Sequence, residues 1–559
     1  MSARRRIAAL VLAVAIGLPS FALFNRAPLC DPDVGWHLAF GEYIVAHRTI
    51  PTRDVFRFTP QEHPLHLHGW LSQVFFYALE RIGGLGFFRL VTSLIMLGTL
   101  AILARLLYTM CRNVHLTALG VLAFLVTSIH LFHPRARIFT PPLFMLAFEM
   151  VGIDETPLST RQLLGLFLFT VVWMNLHAEA SILPVFIVVQ LLSEVISRRS
   201  SRQRIASLGV AAVLTVGALF VSPLGASWLS DARQNYRINR ENSWEWFNLF
   251  EYQTVLDRVF AEAPPDYSPM YLHLLGHPYS LYATMIVAAG YLAALALRPK
   301  GRAAGPGVLV NLWALFSAFS IQRNSWLLFI PIASTLQIVA LRFARSTRQR
   351  ARPTRGRDLA PALLPLWQGV LATTAVLLLV ALTFAGVVRP GAWREYNDNG
   401  WDARMFPTKA ATFLDAARIR GNTFAQQEWG GYLIHQRFDL PVFMHGHWAE
   451  APKTYADYQA IFQERPGFAD LLDRYGATLL VVPPFWGTDL PSATWIEVFR
   501  NRQSRIFLRR TEVTRLAAVE AYYRALGIPF SQTTGFDAEQ TLAAAPAWAH
   551  QFSVSRSAP

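Results

Sequence analysis

Apolar runs of membrane-spanning length recur through residues 1–388, and they restrict the possible folds of this chain more than any other feature. Lipid offers backbone amides no hydrogen-bond partner, so an apolar run of about 20 residues in a bilayer has to be a helix. Such runs lie at residues 7–24, 86–110, 116–131, 138–153, 163–176, 181–196, 205–221, 279–297, 308–321, 325–341 and 363–388, about eleven in all. Composition agrees, since 53% of the residues are hydrophobic and only 16% are charged, where an ordinary soluble domain has about a quarter charged. The expected fold class is mainly α, a polytopic transmembrane helical bundle. The first run also has the basic start and apolar middle of a signal peptide, and cleavage there would leave the sidedness of later loops unchanged.

The charge balance, 51 Lys and Arg against 36 Asp and Glu for a net +15, would by itself suggest a nucleic-acid partner. The positions of the charges argue otherwise. With Arg4, Arg5 and Arg6 in the cytoplasm, the inside loops are 111–115, 154–161, 197–204, 298–305 and 342–357, and these carry the Lys/Arg excess typical of cytoplasmic loops. The positives are therefore read as topological, with a cytoplasmic N-terminus and no nucleic acid bound. Two cysteines, Cys30 and Cys111, exclude a disulfide framework and any Cys-rich metal site. Walker A, G-x-S-x-G and H-E-x-x-H patterns are all missing, so ATP-driven pumping, serine hydrolysis and zinc-protease chemistry lack support.

An odd number of spans puts everything beyond residue 388 outside. Three outward segments are long enough to hold a site: 25–87, 222–277 and the tail. Residues 1–388 are read as the membrane module and 389–559 as a C-terminal extracytoplasmic α/β domain. In the tail, helices are expected at 409–418, 455–464 and 467–475, strands at 441–444 and 478–482, and a closing hairpin from 495–499 and 505–508.

The first outward loop opens with Asp31-Pro32-Asp33, followed by Val34, Leu38, Gly41 and Val45 at helical spacing. That spacing predicts an amphipathic helix lying on the membrane, and a second such stretch runs from Trp70 to Leu79. Asp31 and Pro32 suit a helix start. Two carboxylates at that place can equally bind a divalent cation, or one of them can take a proton from a hydroxyl. Between the two stretches lie Asp54, His63, His66 and His68, the histidines being either metal ligands or simple hydrogen-bonding groups.

Elsewhere, Arg135 and Arg137 in His133-Pro134-Arg135-Ala136-Arg137 break the positive-inside pattern. Guanidinium is suited to phosphate, so an anionic lipid headgroup explains them, as does snorkelling. The same two readings apply to Arg323 beside Asn324. Asn175, His177 and Glu179 stand at another outer helix end, where polar groups face a cavity or the bundle interior. Glu245, between Trp244 and Trp246, is either solvated in an aromatic belt or reaches the pocket.

At these positions the chain resembles the GT-C glycosyltransferases, polytopic enzymes that use polyprenyl-phosphate-linked sugars on the outer side of the membrane. It is most similar to the bacterial mannosyltransferase- and aminoarabinose-transferase-like branch. The first-loop pattern of that branch is matched by Asp33, Trp36-His37-Leu38, Gly41, Pro51, Asp54 and Trp70-Leu71. The Arg135 loop, Trp173-Met174-Asn175-Leu176-His177, Glu245-Trp246, Arg323-Asn324, Trp429-Gly430-Gly431-Tyr432-Leu433 and Pro441-Val442-Phe443 resemble later segments of it. Three departures stand out. Gly69 replaces an acid before Trp70-Leu71, the Arg135 loop lacks the carboxylate that supplies a second metal ligand in metal-dependent relatives, and His445-Gly446-His447 replaces Asp-Gly-Arg.

The resemblance implies a GT-C-like bundle in the bacterial cytoplasmic membrane, a polyprenyl-phosphate sugar donor, a lipid, glycan or protein acceptor, and inversion at the anomeric carbon. In its terms Asp33 is the catalytic base with Asp31 beside it. Trp36, His37, Asp54, His68, Trp70, Arg135, Arg137, Asn175, His177, Glu245 and Arg323 line the substrate site. A divalent cation, Mg or Mn, is left open, with Asp31 as its ligand. Two other classes also stay open: a transporter, which would usually show repeated halves and would not need the large tail, and a non-catalytic scaffold in surface-polysaccharide assembly, which the missing acids would suit.

Overall fold

The computed structural model describes residue 17 and residues 28–128, 133–153, 155–198, 200–243, 246–262, 280–296, 307–350, 397–436, 439–448, 450–487 and 489–555. The expected spans at 7–24 (but for Gly17) and 363–388, the loop at 298–305 and Glu245 fall outside these. The chain divides into two compact units, one of Met1–Ala27 with Arg89–Pro390, the other of Pro28–Phe88 with Gly391–Pro559. The first outward loop, read from the sequence as part of the membrane module, is thus grouped with the tail.

In chain order the helices begin with α1 (Asp33–His47) and α2 (Trp70–Cys111). The second is interrupted at Gly83 and Gly84, where Gly84 takes a φ of +66° that a side chain would resist. The membrane unit continues with α3 (Val114–Ser128), α4 (Thr140–Phe148), α5 (Thr160–Leu176), α6 (Ile182–Ser197) and α7 (Arg202–Leu219). It closes with α8 (Trp228–Asn242), α9 (Leu249–Glu262), α10 (Ser280–Ala296), α11 (Val308–Ser320) and α12 (Phe329–Arg350). Among the described residues, four stretches are long and apolar enough to cross a membrane: Trp70–Cys111, Ala136–Ile153, Ala178–Ser197 and Gln322–Arg342. Shorter apolar helices lie at Val114–Ser128, Thr160–Leu176, Leu281–Ala296 and Val308–Ser320. Each coincides with an expected run.

Local chemistry sets several of these boundaries. Ser159 and Gln162 form a reciprocal capping box at the start of α5, and Ser201 accepts the Arg204 N–H at the start of α7. Pro141 stands in the first turn of α4, where its missing N–H has no helical partner to lose. Helix α5 packs on α7, α7 on α6, and α11 on α6. Phe144 of α4 is fully buried and meets the rings of Trp173, Phe186, Trp313, Trp326 and Phe329. Dispersion between such rings holds helices together where lipid removes any hydrophobic drive. Arg204 is buried between α6 and α7, donating to Glu194 and to the carbonyls of Val151 and Thr156.

The second unit joins α1 to the tail. Its helices are α13 (Thr408–Ala416), α14 (Gln427–Gln436), α15 (Pro452–Phe462), α16 (Phe468–Tyr475), α17 (Val513–Ala525), α18 (Ala538–Ala544) and α19 (Pro546–Gln551). After two short paired segments, β1 (Asn397–Asp398) and β2 (Trp401–Asp402), the main sheet contains β3 (Thr423–Ala425), β4 (Leu479–Val482), β5 (Trp495–Arg500) and β6 (Arg505–Arg509). The sheet order is β3-β4-β6-β5, with β3 and β4 parallel and the rest antiparallel. Strand β4, Leu-Leu-Val-Val, is buried along its whole length, as a central strand covered on both faces must be. The expected hairpin forms as β5 and β6. The expected strand at 441–444 does not: only Val442 bridges, to Arg57 and to Thr423.

Helix α1 also differs from expectation. Its residues from Val34 to Gly41 are all buried, and it packs on α14 of the tail rather than offering an apolar face to lipid. The approach is close enough to exclude side chains, since a Cβ on Gly35 would stand 2.2 Å from the Gly431 carbonyl oxygen. A Cβ on Gly41 would likewise meet the Gln73 carbonyl of α2 at 2.2 Å. The periodic apolar residues signal a covered face, and what covers it is protein.

Candidate active site

At the start of α1, Asp31 is buried, and its Oδ1 accepts the backbone N–H of Asp33 at 2.9 Å. Asp33, the first residue of α1, is half-buried, and its Oδ1 accepts the Trp36 indole N–H at 2.9 Å. Trp36 is held in turn by the His37 ring at 3.8 Å and by the edge of His447 at 5.3 Å. His37 packs edge-on against Phe76 of α2.

Asp54 has a different place from the open substrate contact expected of it. It is buried, with Oδ2 2.8 Å from His445 Nε2 and Oδ1 accepting the Phe56 N–H. Burial alone would raise its pKa, but His445, Arg57 and the Phe56 N–H together hold it below the ordinary carboxylate range. Glu450 behaves alike: burial pushes up, and His447, 2.7 Å away, brings the value down. His68 and Trp70 are half-buried at the start of α2, where the His68 N–H bonds the His66 carbonyl and the Trp70 N–H the Leu67 carbonyl.

The membrane unit gathers the other sequence-selected residues. Arg137 is buried, its Nε 3.4 Å from Glu179, and Arg323 reaches the same carboxylate at 2.6 Å. Arg323 also lies over the Trp246 ring at 4.6 Å. His177 Nδ1 is 3.1 Å from Thr140 Oγ1 and 3.6 Å from Glu179. Arg135 is half-buried at the entry to the short 3-10 turn that carries Arg137. Asn175 serves the backbone, donating to the carbonyls of Val171 and Val221. The structure thus brings Arg137, Glu179, His177 and Arg323 together in one unit, and Asp31, Asp33, Trp36 and His37 in the other.

Two participants carry more weight than the sequence reading gave them. Glu179 is the common partner of two arginines, and the signal for it was an acid placed where a charge needs company. His445-Gly446-His447 lies against Asp33 and Trp36, a nearness no local pattern announces.

A divalent cation needs several converging oxygen or nitrogen ligands. Among the described residues, no group of three His, Cys, Asp or Glu side chains could hold one. Asp31 and Asp33 are two carboxylates with no third such ligand beside them among the described residues.

No protein-family model matches the chain, and no curated protein matches it in sequence. Solved structures do resemble it. ArnT from Cupriavidus metallidurans in the apo state aligns with a TM-score of 0.50 at 15% identity, over 90% of this chain and 98% of that one. The apo oligosaccharyltransferase of Archaeoglobus fulgidus aligns with a TM-score of 0.54 at 12% identity, over 87% and 70%. The chain has the GT-C fold. A further GT-C structure, the Archaeoglobus fulgidus oligosaccharyltransferase AglB with an inhibitory peptide and a dolichol-phosphate, aligns with a TM-score of 0.50 at 10% identity, over 89% and 73%. With its apolar helices, this chain is a multi-pass membrane protein.

Proposed function

We propose that this protein is a membrane glycosyltransferase that moves a sugar from a polyprenyl-phosphate donor to an acceptor at the outer face of the bacterial cytoplasmic membrane. The observation that carries the reading is Asp33. In a chain of GT-C fold, it presents a half-buried carboxylate at the start of α1, oriented by the Trp36 indole. As general base it takes the proton of the acceptor hydroxyl while that oxygen attacks the anomeric carbon, with inversion.

The leaving polyprenyl phosphate develops negative charge that needs compensation in a low-dielectric setting. Arg137 and Arg323, gathered at Glu179, and Arg135 at the entry to the same turn are guanidiniums suited to it. A dolichol-phosphate in one of the similar structures supports a lipid phosphate as partner. That neighbour's structure also holds an inhibitory peptide, and a protein, glycan or lipid acceptor is compatible with this chain.

Release of polyprenyl phosphate tests the reading, with purified protein in lipid, a panel of polyprenyl-phosphate-linked sugars and a crude acceptor extract. Release with one sugar names the donor, and comparing donor and product anomers checks inversion. Folded protein that releases nothing with any donor is a scaffold. Sugar-independent solute flux would instead make it a transporter.

A further inference from the structure

We propose that the His445-Gly446-His447 turn is a positioning element for Asp33, setting the direction of its carboxylate. The inference rests on the reading of Asp33 as general base. Gly446 provides the first observation: a Cβ there would stand 2.6 Å from both Asp33 Oδ1 and Trp36 Nε1, the two ends of one hydrogen bond. The backbone of the turn therefore lies directly against the bond that orients the carboxylate. Gly446 lacks the positive φ that would itself call for glycine. Room for the Asp33–Trp36 bond is the requirement that remains.

The turn is also anchored, so its surface is a fixed wall. His445 is fully buried, and its Nδ1 accepts the His447 N–H at 3.2 Å. That leaves the proton on Nε2, which donates to Asp54 at 2.8 Å. Asp54 is tied to its own loop by the Phe56 N–H, and its backbone N–H donates to Gln61. His447 pairs with Glu450 at 2.7 Å and sets its ring edge on Trp36. Behind the turn, a Cβ on Gly430 would meet the Met444 carbonyl at 2.2 Å, so α14 backs the segment directly. Asp54 and His445, both buried, act through this wall.

The test uses full-length protein in lipid and the polyprenyl-phosphate-linked sugar that wild type turns over fastest. It compares Gly446→Ala and Asp54→Asn with wild type, with Asp33→Asn alongside. A methyl at Gly446 pushes the carboxylate and indole aside, so kcat should fall about 10- to 100-fold, with the KM for donor and the melting temperature close to wild type. Asp54→Asn should lower kcat by a smaller factor, again with the KM for donor close to wild type. Wild-type kcat in Gly446→Ala, or a change confined to KM, overturns the inference. Should Gly446→Ala not fold, wild-type kcat in Asp54→Asn overturns it. If Asp33→Asn turns over like wild type, the reading of Asp33 itself has failed; if Asp33→Asn alone is impaired, only the positioning inference has.

Discussion

In the membrane unit one carboxylate, Glu179, is shared by two guanidiniums, whereas in the unit of the first loop and tail two buried acids, Asp54 and Glu450, each pair with an imidazole. The first arrangement gathers guanidiniums at one carboxylate, with Arg135 at the entry to the turn that carries Arg137. The second can be locally neutral and keeps Asp33, at the edge of its cluster, half-buried. An anion suits the first region and a proton suits the second. The same two elements of chemistry, carboxylate and base, are thus arranged to different ends by stoichiometry.

The sharpest way to break this contrast is Glu179→Gln. It removes the carboxylate that Arg137 and Arg323 share, and a broken buried pair costs about 3–5 kcal/mol. The loss should be read as lower thermal stability of the detergent-solubilised protein. A variant as stable as wild type would show that Glu179 does not neutralise the arginines. Next in size is Gly35→Ala, which forces a methyl onto the Gly431 carbonyl. Overpacking of this kind costs about 1–3 kcal/mol, and unchanged melting would mean that α1 and α14 are not closely packed.

Acid should separate the units more gently. Asp54, Glu450 and Glu497 all lie below their ordinary range; burial raises each, and the opposing His445 for Asp54, His447 for Glu450, and Arg500 with Arg505 for Glu497 prevail. A carboxyl lowered on folding stabilises the folded state above its unfolded pKa and loses that contribution as pH falls through the folded value. Melting temperature should therefore hold from neutrality to about pH 5 and fall below it, with a shallower fall in Asp54→Asn. Identical pH profiles for the two proteins would contradict the assignment.

Hydropathy made the membrane unit legible because lipid permits so little besides helices. The stretches Ala136–Ile153 and Ala178–Ser197 were visible as runs, yet their 3-10 and π turns, which place Arg137 and Glu179, were not. In the other unit the β5–β6 hairpin could be read because its partners are neighbours in sequence. Helix α1 could be read as a helix, but not its partner: α14 lies hundreds of residues on, and an apolar stripe does not say whether lipid or protein covers it. For the same reason Gly430 and Gly431 could be seen as a motif without a cause, and the 441–444 segment passed for a strand although only Val442 pairs. Asp33 was singled out in the sequence by the ordered Asp, Trp-His-Leu and Gly residues around it, and its role is the proposal made above. The nearness of Gly446 to Asp33 and the pairing of His445 with Asp54 were not legible, since both join distant segments.

The central claim is that Asp33 drives sugar transfer from a lipid phosphate. The most direct measurement is polyprenyl phosphate release by wild type and by Asp33→Asn, both folded and in lipid, with the same donor and acceptor extract. Release by wild type, with turnover reduced about 100-fold or more in Asp33→Asn, is the predicted result, and equal release by the two proteins would contradict it.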